Sequence, residues 1–223
     1  DNGVVNTYEP DFSEYGGQSG LTAINDSNLV VGYMSTGLEH DAKTRIESSC
    51  LGDDARFEDI SITEDPLDNE GNVVPKSPKP IQICAFGFVD GNDTVLGAQY
   101  YLEAYSWQYQ NGVLTNATPL GRLTNPIDDN DAASYVSVAT DVNNSNIAVG
   151  RSTTFRKGDK RIGNRLEVAT VYKNGQIVDL MDHNNDSWFD SSANSINNNN
   201  LVVGFMEKSI SGFFRKKFFI YDA

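Results

Sequence analysis

Oxygen-bearing side chains recur at short intervals in Asp182-His183-Asn184-Asn185-Asp186-Ser187-Trp188-Phe189-Asp190. Asp182, Asn184, Asp186 and Asp190 fall at positions 1, 3, 5 and 9 of this run. Alternating short oxygen ligands on a turning backbone can surround a hard cation, so calcium is the cofactor this segment would take. The run lacks glycine at position 6 and has Ala193 where an acid would stand at position 12. Asp128, Asp129, Asn130 and Asp131 form a similar but less ordered loop.

Other chemistry has less to stand on. His40 and His183 are isolated, and Cys50 and Cys84 lie too far apart in sequence for the short ligand spacing of a zinc site. No Gly-x-Ser-x-Gly turn offers a nucleophile, and no glycine-rich loop offers a phosphate cradle. Glycan cleavage needs a pair of carboxylates. On a repeat scaffold with its first strands innermost, Asp141 is the one acid those strands supply, a weak candidate for such a role. The residues therefore favour a non-catalytic binding or structural module, with a protein or glycan ligand. The alternative is a polysaccharide-active hydrolase or lyase that uses Asp141.

Charge narrows the partners. The chain has 17 Lys and Arg against 31 Asp and Glu, a net charge of -14. Nucleic acid and anionic membrane surfaces are excluded as general partners. No apolar run reaches the length of a membrane-spanning helix. The excess acid lies in residues 1–112, whereas 113–223 balance. Arg156, Lys157, Lys160, Arg161 and Arg165 form a basic hairpin tip in that second half. The chain opens on Asp1-Asn2-Gly3 without methionine, as a mature or trimmed product would.

The elements that must position these residues are strands. Asparagine is abundant, 23 of 223 residues, and separates short runs of Val, Ile, Thr, Tyr and Phe. One nine-residue unit recurs as Ile24-Asn25-Asp26-Ser27-Asn28-Leu29-Val30-Val31-Gly32, as 142–150 and as 196–204, with a weaker copy at 89–97. It predicts a hairpin in which Asn28, Asp93, Asn146 and Asn200 adopt positive φ. The closing glycine marks a bulge or the close approach of another backbone. Asn111-Gly112 and Asn174-Gly175 mark a second hairpin in each unit.

Two hairpins in about 54 residues predict an all-β chain of four repeats with up to four strands each. The repeat hairpins fall at 20–34, 85–99, 138–152 and 192–206 of a single domain spanning 1–223. The ends suggest closure into a small β-propeller. Phe218 to Tyr221 reads as a third strand, and Asp1 to Val5 as the turn and fourth strand of the same blade. An acidic insertion at about 38–68 lengthens the first repeat. A Cys50–Cys84 disulfide is expected to tie it down, because both cysteines flank it. No amphipathic helix longer than two turns is expected.

The segments 21–32, 139–150 and 193–204, followed by Ala104-Tyr105-Ser106-Trp107 and its Asn-Gly turn, resemble the HAF-type extracellular repeat family of bacteria. The resemblance covers most of the chain outside about 38–68. The turn glycine of that pattern is Asn or Asp here, and the His-Ala-Phe triplet is missing. The resemblance implies β-repeats and an exported protein, whether periplasmic, on the cell surface or extracellular, and it implies no established chemistry.

Overall fold

A computed structural model describes residues 7–10, 12–13, 17–50, 100–126, 135–155, 165–181 and 188–223. The fold is all-β, with three antiparallel sheets and one helix among these residues. The first sheet has the order β1 (Ser19–Ile24), β2 (Leu29–Leu38), β3 (Tyr100–Gln110), β4 (Val113–Gly121). The second repeats that order with β5 (Ser137–Val142), β6 (Ala148–Phe155), β7 (Arg165–Lys173) and β8 (Gln176–Asp179). The third has β9 (Trp188–Ile196), β10 (Leu201–Ile210) and β11 (Phe213–Asp222), with no fourth strand among the described residues.

The turns form where the sequence places them. Asn28, Asn146 and Asn200 have φ of 60°, 59° and 63°, the left-handed region that asparagine tolerates. Asn111-Gly112 and Asn174-Gly175 have positive φ at both residues, as two-residue hairpins with the right twist require. Ser211-Gly212 makes a third such turn, between β10 and β11. It occupies the place in the third repeat that residues 39–99 occupy in the first and 156–164 in the second.

That equivalence alters the repeat boundaries. β2 pairs directly with β3, so the strands around Trp107 complete the sheet begun by the first hairpin. The long interruption therefore runs from the end of β2 to the start of β3, well beyond residue 68. The hairpin expected at 85–99, with Asp93, lies outside the described residues, as do the N-terminal residues expected to close the ring. The described sheets do not close into a barrel or propeller.

The interruption opens with a helix, α1 (His40–Cys50), that the sequence reading missed. Only Ala42 and Ile46 carry its apolar face, four residues apart among charged neighbours, which leaves a faint periodicity. Both are fully buried, and Ile46 packs with Tyr100, Leu102, Val136 and Val138. The Cys50–Cys84 disulfide is withdrawn. No disulfide forms among the described residues, where Cys50 ends α1, and Cys84 lies outside them. The premise was a loose loop in need of a covalent tie. The start of the insertion is instead a helix anchored by apolar burial.

The sheets lie side by side. β5 packs against β1, β2 and β3, and β9 packs in the same way against β5, β6 and β7. Two clusters fill the gaps. Val31, Ala104, Ala139, Val142, Ala148 and Tyr172 join the first sheet to the second. Val149, Ala169, Val171, Ala193, Ile196 and Val202 are among those joining the second to the third. No described helix is long and apolar enough to cross a membrane.

Candidate functional site

Each sheet has a leading face toward the preceding sheet and a trailing face toward the next. The recurring residues build the contact between them, starting with the hairpin glycine. A Cβ at Gly32 would lie 2.0 Å from the carbonyl oxygen of Gly20, at Gly150 1.8 Å from that of Val138, and at Gly204 2.0 Å from that of Ser192. Opposite each glycine the first strand bulges, at Thr22, Thr140 and Asn194. Both readings of the closing glycine, close approach and bulge, hold together.

The bulge aims a side chain at the next sheet. Thr22 Oγ1 donates to the carbonyl of Ala139 at 2.7 Å, and Thr140 Oγ1 to that of Ala193 at 2.7 Å. A serine three residues earlier completes the row. Ser137 Oγ accepts from the backbone N–H of Ala104 at 2.8 Å, and Ser191 Oγ from that of Ala169 at 2.8 Å.

The asparagine turns form the second row. Asn25 Oδ1 accepts from the backbone of Ser27 and Leu29, holding its own turn. Its Nδ2 donates across the gap to the carbonyl of Asn143 and to Asn146 Oδ1, both at 2.9 Å. Asn143 repeats this, donating to the carbonyl of Asn197 at 3.1 Å and to Asn200 Oδ1 at 2.8 Å. The N–H of Asp26 donates to Asn144 Oδ1 and that of Asn144 to Asn198 Oδ1. The left-handed turn residue is thus also an acceptor, which glycine could not be.

Asp141 belongs to the same system. Its Oδ2 accepts from Ser195 Oγ at 2.5 Å and from the N–H of Ile196 at 2.8 Å, while Oδ1 accepts from the N–H of Val142. The carboxylate joins β5 to β9. Of the expected cation ligands, Asp182, Asn184 and Asp186 lie outside the described residues. Asp190 accepts from the N–H of Glu167 at 3.0 Å. Among the described residues no group of three or more His, Cys, Asp or Glu could hold a metal ion. His40 begins α1, and His183 lies outside the description.

Two charged and phenolic groups inside the sheets are also structural. Arg122 follows β4, pairs with Glu103 at 3.2 Å and donates to the carbonyl of Leu102 and to Thr36 Oγ1. Burial lowers its pKa, and the field of Glu103 opposes that shift. Tyr172 fills the gap between the first two sheets and donates to the carbonyl of Arg151 at 3.2 Å. Burial holds its phenol far above the usual tyrosine range.

The outer faces differ from the inner ones. A groove of about 510 Å³ opens on the leading face of the first sheet, lined by Ser19, Leu21, Met34, Trp107 and others, and edged by Thr7, Tyr8 and Glu9. Trp107 stacks on Tyr105 with ring centroids 5.8 Å apart. On the trailing face of the third sheet Val203 is 43% exposed, whereas its equivalents Val31 and Val149 are both at 0%. Sequence reasoning found the hairpins but not this bonding, because donor and acceptor are 22 to 121 residues apart.

Over residues 3–223 the chain matches the family model described as protein of unknown function (DUF3466), and it belongs to that family. No curated protein and no solved structure matches it.

Proposed function

We propose that this chain is a non-catalytic structural and binding module, a rigid run of propeller-type blades in an exported protein. One observation carries the reading: the recurring polar side chains are engaged in holding sheet to sheet. Asn25, Asn143, Thr22, Thr140 and Asp141 all bond across a gap between sheets. A catalytic acid needs its carboxylate facing a substrate. Asp141 instead faces Ser195 and the backbone of β9. Propeller geometry is supported by the opening strands β1, β5 and β9, which lie next to one another in the manner of innermost blade strands. Export rests on the likeness to HAF-type repeats.

Incubating the protein and Asp141→Ala with a panel of polysaccharides tests the reading. No turnover by either, with a lower melting temperature for the variant, is the expected result. Turnover by the native protein that disappears in the variant would overturn it.

A further inference from the structure

We propose that the tip of the β10–β11 hairpin is a membrane-docking element, which inserts apolar side chains into the surface of a bilayer containing anionic phospholipid. The tip is then one binding surface of the module proposed above, whose lack of catalysis plays no part in it. An apolar end and a cationic collar stand together on this one projecting hairpin.

The hairpin outruns its sheet. β9 pairs with β10 as far as Lys208, whose partner is Trp188. Two further pairs, Ser209–Phe214 and Ile210–Phe213, lead to the Ser211-Gly212 turn, with no third strand beside them among the described residues. These last pairs carry large apolar side chains in solvent: Ile210 is 44% exposed, Phe213 63% and Phe214 56%. Cross-strand partners share a face and successive residues alternate, so Ile210 and Phe213 lie on one face and Phe214 on the other. The Phe214 ring meets Phe189 of β9 edge-on, with centroids 4.5 Å apart. A single exposed aromatic is ordinary, but three large apolar side chains on two successive pairs form a patch that marks an interaction site.

The charge follows directly behind the tip. Lys208 pairs with Arg215, Glu207 with Lys216 and Met206 with Lys217. Lys208, Arg215 and Lys217 are exposed, and the exposed Lys216 lies 3.8 Å from Glu207. Four cations thus stand against one carboxylate. The Arg215 guanidinium folds toward the tip, 5.4 Å from the centre of the Phe213 ring, and donates to the carbonyl of Phe214 at 3.0 Å. At about 3.4 Å per residue the two apolar pairs reach about 7 Å, and the cations begin there. Interfacial elements bury their apolar side about 5–10 Å into the boundary of headgroups and acyl chains, with Lys and Arg on the polar side. The order and spacing of tip and collar match that depth.

The net charge of -14 excludes an anionic membrane as a partner of the whole surface. It does not govern the tip, because exposed charges more than about 8 Å apart are largely screened at physiological ionic strength. The placement of the apolar residues favours lipid over an acidic protein. A flat protein surface covers one face of a hairpin, whereas a bilayer surrounds the tip and takes the rings of both faces at once.

Sedimentation with lipid vesicles tests this, using phosphatidylcholine alone and phosphatidylcholine mixed with phosphatidylglycerol. Native protein should bind the mixed vesicles about tenfold more tightly or better, and should release them as salt rises. Phe213→Ser combined with Phe214→Ser should abolish vesicle binding with an unchanged circular dichroism spectrum. If that variant fails to fold without the contact to Phe189, Ile210→Ser combined with Phe213→Ser takes its place. Lys208→Gln combined with Lys217→Gln should lower binding to the mixed vesicles toward the level seen with phosphatidylcholine alone. Native protein that does not bind the mixed vesicles would overturn the proposal, as would undiminished binding by the tip variant. Sedimentation without vesicles that disappears in the tip variant would also overturn it, by assigning the tip to a contact between proteins. None of these results touches turnover on polysaccharides, which tests the non-catalytic reading separately.

Discussion

Asn25 and Asn143 stand at the same place in successive repeats, and the side-chain amide of the first donates to the backbone carbonyl of the second at 2.9 Å. Each also accepts two backbone N–H groups of its own turn. One side chain therefore shapes a hairpin and fixes its distance from the next. The link runs from local turn chemistry to the stacking of sheets with no intermediate element. It also gives a physical reason for asparagine at the left-handed positions 146 and 200, where glycine would have the freer backbone. Their Oδ1 atoms receive the second proton of each amide.

Asn143→Ala and Asn197→Ala separate the two duties. Both lose the turn bonds, but only Asn143 loses partners in a neighbouring sheet. With net hydrogen-bond contributions of about 1 kcal/mol each, Asn143→Ala should cost about 1–2 kcal/mol more than Asn197→Ala. Urea unfolding of dilute protein measures the difference. Equal losses would mean that the cross-sheet bonds contribute nothing.

Gly150→Ala should be among the most damaging small substitutions in the chain. The new methyl would lie 1.8 Å from the carbonyl oxygen of Val138, a backbone atom that cannot move without opening the sheet. A loss of about 3 kcal/mol or more is expected. Gly121→Ala is the control. Its φ of 92° strains any side chain, but nothing lies within 4 Å, so about 1 kcal/mol should be lost. Thermal melts that rank the two in the opposite order would show that the close approach is relieved elsewhere.

The hairpins were legible because their signals are local. Asn-Gly pairs and the Asn-x-x-Asn turn restrict φ within four residues, and the structure has positive φ at Asn28, Asn111, Asn146, Asn174 and Asn200. What was illegible depends on distant partners. The direct pairing of β2 with β3 joins Val30 to Trp107 across the long interruption, and nothing near either residue indicates it. Helix α1 was missed because its buried face is only Ala42 and Ile46. Asp141 looked like a candidate acid because it was the one carboxylate that the strands expected to be innermost supply. Its partner Ser195 lies 54 residues away, and only the stacking of β5 on β9 brings the two together.

Asp141→Ala removes an acceptor shared by Ser195 Oγ and the N–H of Ile196, and a second that caps the N–H of Val142. Because hydrogen bonds to charged groups contribute about 1.5–3 kcal/mol, stability should fall by about 2 kcal/mol. Ser195→Ala should cost less, since the bond from Ile196 survives. A double-mutant cycle on the pair, read by urea unfolding, should show coupling of about 1 kcal/mol. Strict additivity would mean that the short contact carries no energy.

Tyr172 ties stability to alkaline pH. Burial between the first and second sheets disfavours its phenolate, and its hydrogen-bonding neighbours only partly offset that, so its pKa in the folded chain lies well above the usual value. The unfolded chain has an ordinary tyrosine that ionises near about pH 10. A folded pKa above the unfolded one means stability that is fully present below about pH 10 and lost as pH rises beyond it, by up to about 1.4 kcal/mol per pH unit. Tyr172→Phe removes this dependence along with the bond from the phenol to the carbonyl of Arg151. Near pH 8 the variant should be less stable by about 1 kcal/mol, the ordinary contribution of one hydrogen bond. Above about pH 10 the native protein should lose stability faster, so the two curves should converge and then cross. Urea midpoints measured from pH 8 to 11 provide the comparison, with every other tyrosine common to both proteins. Parallel curves across that range would show that the Tyr172 phenol ionises as readily folded as unfolded, and that the gap between the first two sheets admits water.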